Sequence, residues 1–131
     1  GLACYLLGID TATQLIKDPL YGNLFENWVI IELMKARYNQ AKDPRLYFYR
    51  DVLGKEVDLL LQQGSKLVPI EIKSGKTFSS SFLNGLKYFH EQTPEKAQDG
   101  AVIYGGAQTQ KIEGFNLFTV EDCTKIVRQE L

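Results

Sequence analysis

The sequence predicts a domain of the α/β class: a central mixed sheet, built on a three-stranded antiparallel meander with further strands beside it, flanked by helices. Three patterns predict it. Residues 46–50, 56–62 and 67–74 are short apolar runs separated by turn residues, as strands of a meander are. Apolar residues at helical spacing precede them over 24–38 and follow them over 79–91. Two more short apolar runs, 101–104 and 115–119, are then succeeded by a helical stretch over 121–131.

In chain order, Leu2, Tyr5, Leu6 and Leu7 are apolar and begin abruptly at Gly1, so residues 1–19 read as a packing segment left from a longer chain. Asp18-Pro19 ends that segment, because the residue before a proline avoids helical backbone. The domain proper is expected over 20–131. Asn23 is a plausible N-cap for the first helix. Asp43-Pro44 makes a turn into Leu46-Tyr47-Phe48-Tyr49-Arg50; Leu53-Gly54-Lys55 and Gln63-Gly64-Ser65 make the next two turns. Alternation places Val57, Leu59 and Leu61 on one face of the second strand and Val68, Ile70 and Ile72 on one face of the third. Pro69 cannot donate to a ladder, so it is expected at the strand's start or on a bulge. Phe82, Leu83, Leu86 and Phe89 form the stripe of the second helix, and Ile126 and Val127 the inward residues of the last.

Composition excludes several classes. A hydrophobic share of 44% with 24% charged residues suits a globular core. No apolar run is long enough to span a bilayer, and the first residues lack the organisation of a signal peptide. Cys4 and Cys123 stand far apart, which points to reduced thiols and a cytoplasmic setting. His90 has no second histidine or cysteine nearby for zinc. Ser74-Gly75-Lys76-Thr77 ends like a phosphate-binding loop, but Ile70 stands where that motif needs glycine, so no ATPase activity is expected here.

The candidate chemistry lies on two strands. Asp58 leaves the apolar face of the second strand, and Glu71 with Lys73 leaves that of the third. An aspartate between Val57 and Leu59 opposes strand propensity and needs compensation, by Lys73 or by a metal. Two carboxylates and an ammonium are what metal-dependent phosphodiester hydrolysis needs: hard oxygens for Mg²⁺ or Mn²⁺, and a lysine to orient or polarise water. Glu56 shares the Asp58 face and is an alternative ligand. On a helical wheel Glu26 falls inside the arc of Val29, Ile30, Leu33 and Met34. Such a carboxylate is paired, protonated or on a metal, unless Asn23-x-x-Glu26 is simply a capping box.

The net charge is −1, yet basic residues cluster around the motif. Lys35, Arg37, Lys42, Arg45 and Arg50 face Asp43 alone, and Lys66, Lys73, Lys76 and Lys87 face only Glu71. Lys35, Arg37, Arg45, Arg50 and Lys76 are therefore candidate phosphate contacts, with chance clustering on a solvated face as the alternative. The aromatic run 47–49 could stack on bases or belong to the core.

Asp58 followed by Glu71-Ile72-Lys73 resembles the PD-(D/E)XK nuclease superfamily. With Gly22-Asn23-Leu24-Phe25-Glu26-Asn27-Trp28-Val29 and Tyr47-Phe48-Tyr49-Arg50-Asp51, the chain looks more narrowly like the nuclease-like C-terminal domain of prokaryotic AAA-type ATPases. The resemblance covers residues 1–90 well. It implies a restriction-endonuclease-like core, metal ligation by Glu26, Asp58, Glu71 and the Ile72 carbonyl, and Lys73 as the catalytic lysine. Asn84 and Tyr88 resemble the superfamily's Q-x-x-x-Y pair, with asparagine replacing glutamine, and add to the candidate nucleic-acid contacts. The implied partners are nucleic acid, more specifically DNA, and an ATPase domain on the N-terminal side of the same chain; a homo-oligomer stays open. The alternative is a nuclease-fold module that no longer cleaves and serves its ATPase in docking.

Overall fold

Phe25, Val29, Leu33 and Arg37 recur every four residues and are the buried line of helix α1, Tyr21–Asn39. In the computed structural model, which describes residues 20–128, this line lies on one face of a six-stranded mixed sheet. The expected packing segment 1–19, Cys4 included, and residues 129–131 lie outside the described residues. The helix begins before Asn23, which therefore sits inside it rather than capping it; the capping-box reading of Glu26 falls with that. Its C-terminus closes without glycine. The N–H of Ala41, at φ 55°, bonds the Tyr38 carbonyl and that of Lys42 the Arg37 carbonyl, the paired closure of a Schellman motif.

Strands β1 (Leu46–Arg50), β2 (Glu56–Gln63) and β3 (Lys66–Lys73) form the antiparallel meander. A 3₁₀ turn (Ser80–Leu83) and helix α2 (Asn84–Gln92) replace the single helix expected over 79–91. They carry the chain to β4 (Ala101–Tyr104), parallel to β3. Strand β6 (Phe115–Thr119) is parallel to β4, and β5 (Gln110–Ile112), absent from the sequence reading, pairs with it at the edge. Glu113 and Gly114, at φ 51° and 85°, form the two-residue turn of that hairpin, both in the left-handed conformation that a type I′ turn needs. The described part of the last helix, α3, is Lys125–Arg128.

The sheet has a layer on each side. Leu59, Leu61, Ile70, Ile72 and Ile103 pack with Phe25, Val29, Leu33, Ile126 and Val127. On the other face Leu83 and Leu86 meet Val102 and Leu117, and Phe89 meets Val57 and Leu60. Pro69 sits inside β3, neither at its start nor on a bulge. The Leu67 N–H bonds the Lys96 carbonyl and the Ile72 N–H turns the other way, so the edge of Pro69 that lacks a donor faces the β4 side. There the β4 ladder starts only at Ile70–Ala101, and the Pro69 ring lies against Gly100. The missing donor falls in a gap in the ladder.

Candidate functional site

Strand β1 pairs through Tyr47 with Leu60, but through Tyr49 with Val57, so β2 has one residue more than β1 between these pairs. That is a β-bulge at Asp58–Leu59, and it re-aims the side chains beside it. Val57 consequently shares a cluster with Leu60 and Phe89, not with Leu59 and Leu61, which corrects the alternation read from sequence. The same displacement ends the β2–β3 ladder at Leu59–Ile70. In the fork beyond, the Asp58 carboxylate accepts the Ile72 N–H at 2.8 Å and substitutes for the lost ladder bond.

Glu71 is buried, 5% exposed, with the Asp58 carboxyl close enough to share a hydrogen bond and the Lys73 Nζ at 3.4 Å. Burial and the neighbouring Asp58 push its carboxyl up to about 8. Lys73 is about two-fifths exposed and reaches the mouth of the cleft. Glu26 enters from α1, half-buried, and its carboxyl is raised by burial and then by Asp58, with Lys73 opposing. Among the described residues, no three acidic, histidine or cysteine side chains gather closely enough to hold a metal ion between them. Asp58 and Glu71 therefore form a pair, and Glu26 stands within electrostatic reach of it.

Glu71 and Lys73 open on a cleft of about 250 Å³ whose lining also includes Lys55, Ser81, Asn84 and Tyr88. Asn84 and Tyr88 thus lie where their helical spacing put them, one turn apart beside the acids. Tyr88 donates to Asp51 of the β1–β2 turn. That bond pushes its hydroxyl up to about 12 and holds Asp51 below the usual carboxylate range. Glu56 is exposed and pairs with Arg50 at 3.3 Å, so it belongs to the rim rather than to the acid pair. A larger cavity, about 630 Å³, opens at the far end of the sheet with Asp99 the one carboxylate in its lining.

The basic residues divide. Arg37 is 1% exposed, closes the buried line of α1 and donates to the Asp43 carbonyl at 3.0 Å; it is a core residue, which corrects its assignment as a nucleic-acid contact. Helix α1 starts beside the C-terminal end of β3, Gly22 lying next to Ser74, and runs away from it. At 1.5 Å per residue, Lys35 is about 20 Å from that end. Lys35, paired with Glu32, and exposed Arg45 at the start of β1 therefore mark the far end of the domain; Arg50 and exposed Lys76 stay near the cleft. The expected continuity of the basic cluster with the motif is not what the fold produces.

Sequence reasoning missed Lys55 and Gly85. Gly85 signals itself as a lone glycine inside a helical stripe, which calls for a packing reason. The reason is Glu71: a Cβ at Gly85 would stand 2.6 Å from Glu71 Oε1 and 3.3 Å from the Glu56 carbonyl. In an open helix Gly→Ala would stabilise by about 1 kcal/mol. Here Gly85→Ala is expected to destabilise by about 1–3 kcal/mol by displacing the carboxylate. Urea unfolding measures this; a more stable variant would show that Glu71 moves aside freely.

Fold and cleft together define a class: an α/β/α sandwich in which a bulged strand forks from its neighbour and holds an acid pair and a lysine. Within that class, the chain belongs to the DUF4143 family, a domain of unknown function, whose profile matches residues 21–123. This family is associated with the C-terminal regions of AAA-type ATPases. No curated protein matches the chain.

Proposed function

We propose that this domain is a Mg²⁺- or Mn²⁺-dependent nuclease with a restriction-endonuclease-like core, hydrolysing phosphodiester bonds of nucleic acid, with DNA as the preferred substrate. One observation carries the reading: buried Glu71 touches Asp58 and pairs with Lys73 at the mouth of an open cleft. A buried carboxylate beside a second one is uncompensated unless a proton or a cation joins it. The donor set fits a hard divalent ion. Mg²⁺ commonly takes one or two carboxylates and completes its shell with water, so Asp58 and Glu71 suffice to hold it, with Glu26 acting on it through space.

A divalent ion held there lowers the pKa of bound water and offsets phosphate charge. The protein's own residues do the rest. The Ile72 N–H fixes Asp58, so this carboxylate does not depend on solvent for its orientation. Gly85 leaves the room in which Glu71 is buried. Lys73 presents an ammonium to the attacking water or to a phosphate oxygen, and Lys55 offers a second positive charge at the rim. A cytoplasmic setting, an ATPase domain in the same protein and self-association belong to the same proposal. So does phosphate contact by Arg50, Lys76, Asn84 and Tyr88.

The competing reading is a docking module that no longer cleaves. It is favoured by the absence of a three-carboxylate group among the described residues and by basic side chains that stand far from the cleft. Incubating the 131-residue chain with labelled DNA and RNA in Mg²⁺, in Mn²⁺ and in chelator separates the two. The expected result is metal-dependent cutting, together with weakened ion binding by Asp58→Asn in calorimetric titration. Nucleic-acid binding without cutting in either metal supports the docking module. Equal ion binding by wild type and Asp58→Asn removes Asp58 from the ligand set.

A further inference from the structure

The two edges of the sheet are built differently. In the strand order β1-β2-β3-β4-β6-β5, strands β1 and β5 each have a free side. Such an edge is a row of unpaired N–H and C=O groups that another extended chain can join, and proteins blunt it with short strands, lysine, proline or a bulge. Strand β5 is blunted: it has three residues, with exposed Lys111 at its centre. Strand β1 has five, Leu-Tyr-Phe-Tyr-Arg, without lysine or proline, and the extra residue of the β1–β2 pair lies on β2. It is also apolar where it meets water. Phe48 leaves 78% of its surface exposed and Tyr47 49%, whereas Tyr49 packs edge-on against Phe89.

Pairing with β2 fixes which backbone groups look outward. The Arg45 carbonyl accepts the Gln62 N–H and the Asp51 N–H bonds the Lys55 carbonyl, so residues 45 and 51 turn toward β2. Residues alternate along an antiparallel strand, so Tyr47 and Tyr49 also turn inward, while Leu46, Phe48 and Arg50 turn outward. These three are spaced evenly about Phe48. Alternation puts the side chains of Leu46 and Phe48 on the α1 face, where Leu46 joins the core, and both tyrosines on the α2 face.

We infer that β1 pairs with β1 of a second copy of this chain, antiparallel and centred on Phe48, joining two sheets into one across a two-fold axis. In this register Phe48 exchanges both hydrogen bonds with its own counterpart, and Leu46 with the counterpart of Arg50, so every outward group of the strand finds a partner. The side chains agree with the backbone. Phe48 stands across from Phe48 on one face and Tyr47 across from Tyr49 on the other, and aromatic cross-strand pairs are favourable. Just beyond the strand ends, the same register brings Arg45, which has no ion pair among the described residues, opposite Asp51, whose carboxyl is held below the usual range. A second copy is the fitting occupant because one sequence supplies both halves of each match. The contact uses the same edge of both copies, and β5 is blunted, so it closes at two. The axis is perpendicular to the sheet, which leaves both α2 layers, and both clefts, on the same side. This gives the proposed self-association a surface without drawing on the chemistry of the cleft.

A five-residue edge makes a small contact, so a reversible dimer with a dissociation constant of roughly 1–100 µM is expected. Sedimentation equilibrium of the 131-residue chain across that range measures it. Phe48→Lys sets two ammonium groups on the axis, and Phe48→Pro removes an outward N–H that the ladder to β2 does not use. Each is expected to weaken dimerisation at least about tenfold, with the circular dichroism of the wild type. Arg45→Glu should weaken it too, and less so at high salt. Cross-linking reads the register. The Cα atoms of a hydrogen-bonded pair stand about 5.5 Å apart, within disulfide reach. Phe48→Cys should therefore yield a covalent dimer under mild oxidation, whereas Tyr47→Cys, opposite Tyr49, should yield far less. A wild-type chain that stays monomeric overturns the inference. So does a dimer that the Phe48 variants and Arg45→Glu leave intact, one that Tyr47→Cys traps as readily as Phe48→Cys, or assembly that grows past two copies. The nuclease reading is tested apart from this: a monomer that cuts DNA removes only the dimer, and a dimer that cuts nothing removes only the nuclease.

Discussion

Lys73→Ala is expected to abolish Mn²⁺-dependent cleavage of DNA, with a rate loss of about 10²–10⁴-fold and little loss of affinity. The ammonium stands 3.4 Å from Glu71 and two-fifths exposed, placed to meet a reacting group and not to anchor the core. Removing it also leaves Glu71 beside Asp58 with less compensating charge, so the variant should bind divalent ions no more weakly than wild type. Single-turnover cleavage and filter binding, run on the same preparation, measure the two quantities. A Lys73→Ala chain that cuts at the wild-type rate would remove the lysine from the chemistry. A loss confined to affinity would make it a phosphate contact. Lys73→Arg keeps the charge and separates charge from shape.

The second large effect is on stability. The Glu71 carboxyl is pushed up to about 8 in the folded chain from an ordinary 4.5, so the native state holds a proton that the unfolded state releases between those values. The resulting stability is fully present below about pH 4.5, falls as the pH rises toward 8, and is lost above it. The loss should be on the order of a few kcal/mol. The Glu26 carboxyl is raised as well and works in the same direction. Glu71→Gln should flatten this part of the profile. Mg²⁺ or Mn²⁺ should replace the proton, stabilising by about 2.7 kcal/mol at a hundred times its dissociation constant. That gain should be greater at pH 8 than at pH 5, where proton and ion compete. Urea unfolding of wild type and Glu71→Gln at both pH values, with and without Mg²⁺, provides the check. A wild-type profile parallel to that of Glu71→Gln would mean that the carboxylate is solvated and already compensated.

Much of this architecture is readable along the chain because it is local. Period-2 runs bounded by Gly54 and Gly64 mark the meander, and the apolar stripe from Phe82 to Phe89 marks the layer that covers it. The hairpin of β5 and β6 escapes because Gln110–Ile112 is short and its turn is Glu-Gly, where asparagine or aspartate before glycine is the familiar signal. The early start of α1 escapes because Asn23 is a good cap by type, whereas the cap position falls on Leu20, which makes no side-chain cap hydrogen bond. Arg37 deceives for a similar reason. Its charge argues for the surface, but the i, i+4 line from Phe25 through Leu33 carries it under the Asp43 carbonyl.

The candidate site shows the same division. Residue types and spacing alone single out Asp58, Glu71 and Lys73, because acids in apolar strands have few stable surroundings. A period-2 reading, however, assumes an unbroken pleat. The extra residue at Asp58–Leu59 breaks it, and the bulge exists only through pairing with β1, which lies several residues away in the chain. The resulting fork turns Asp58 onto the Ile72 N–H and against Glu71, and tertiary packing buries Glu71 against Gly85. The sequence by itself therefore determined the strands, the helical faces and the chemical groups, all consequences of neighbours a few residues apart. The depth of each carboxylate, the separation of Lys35 and Arg45 from the cleft and the burial of Arg37 were decided only by the tertiary structure, because burial and distance are properties of residues remote in the chain.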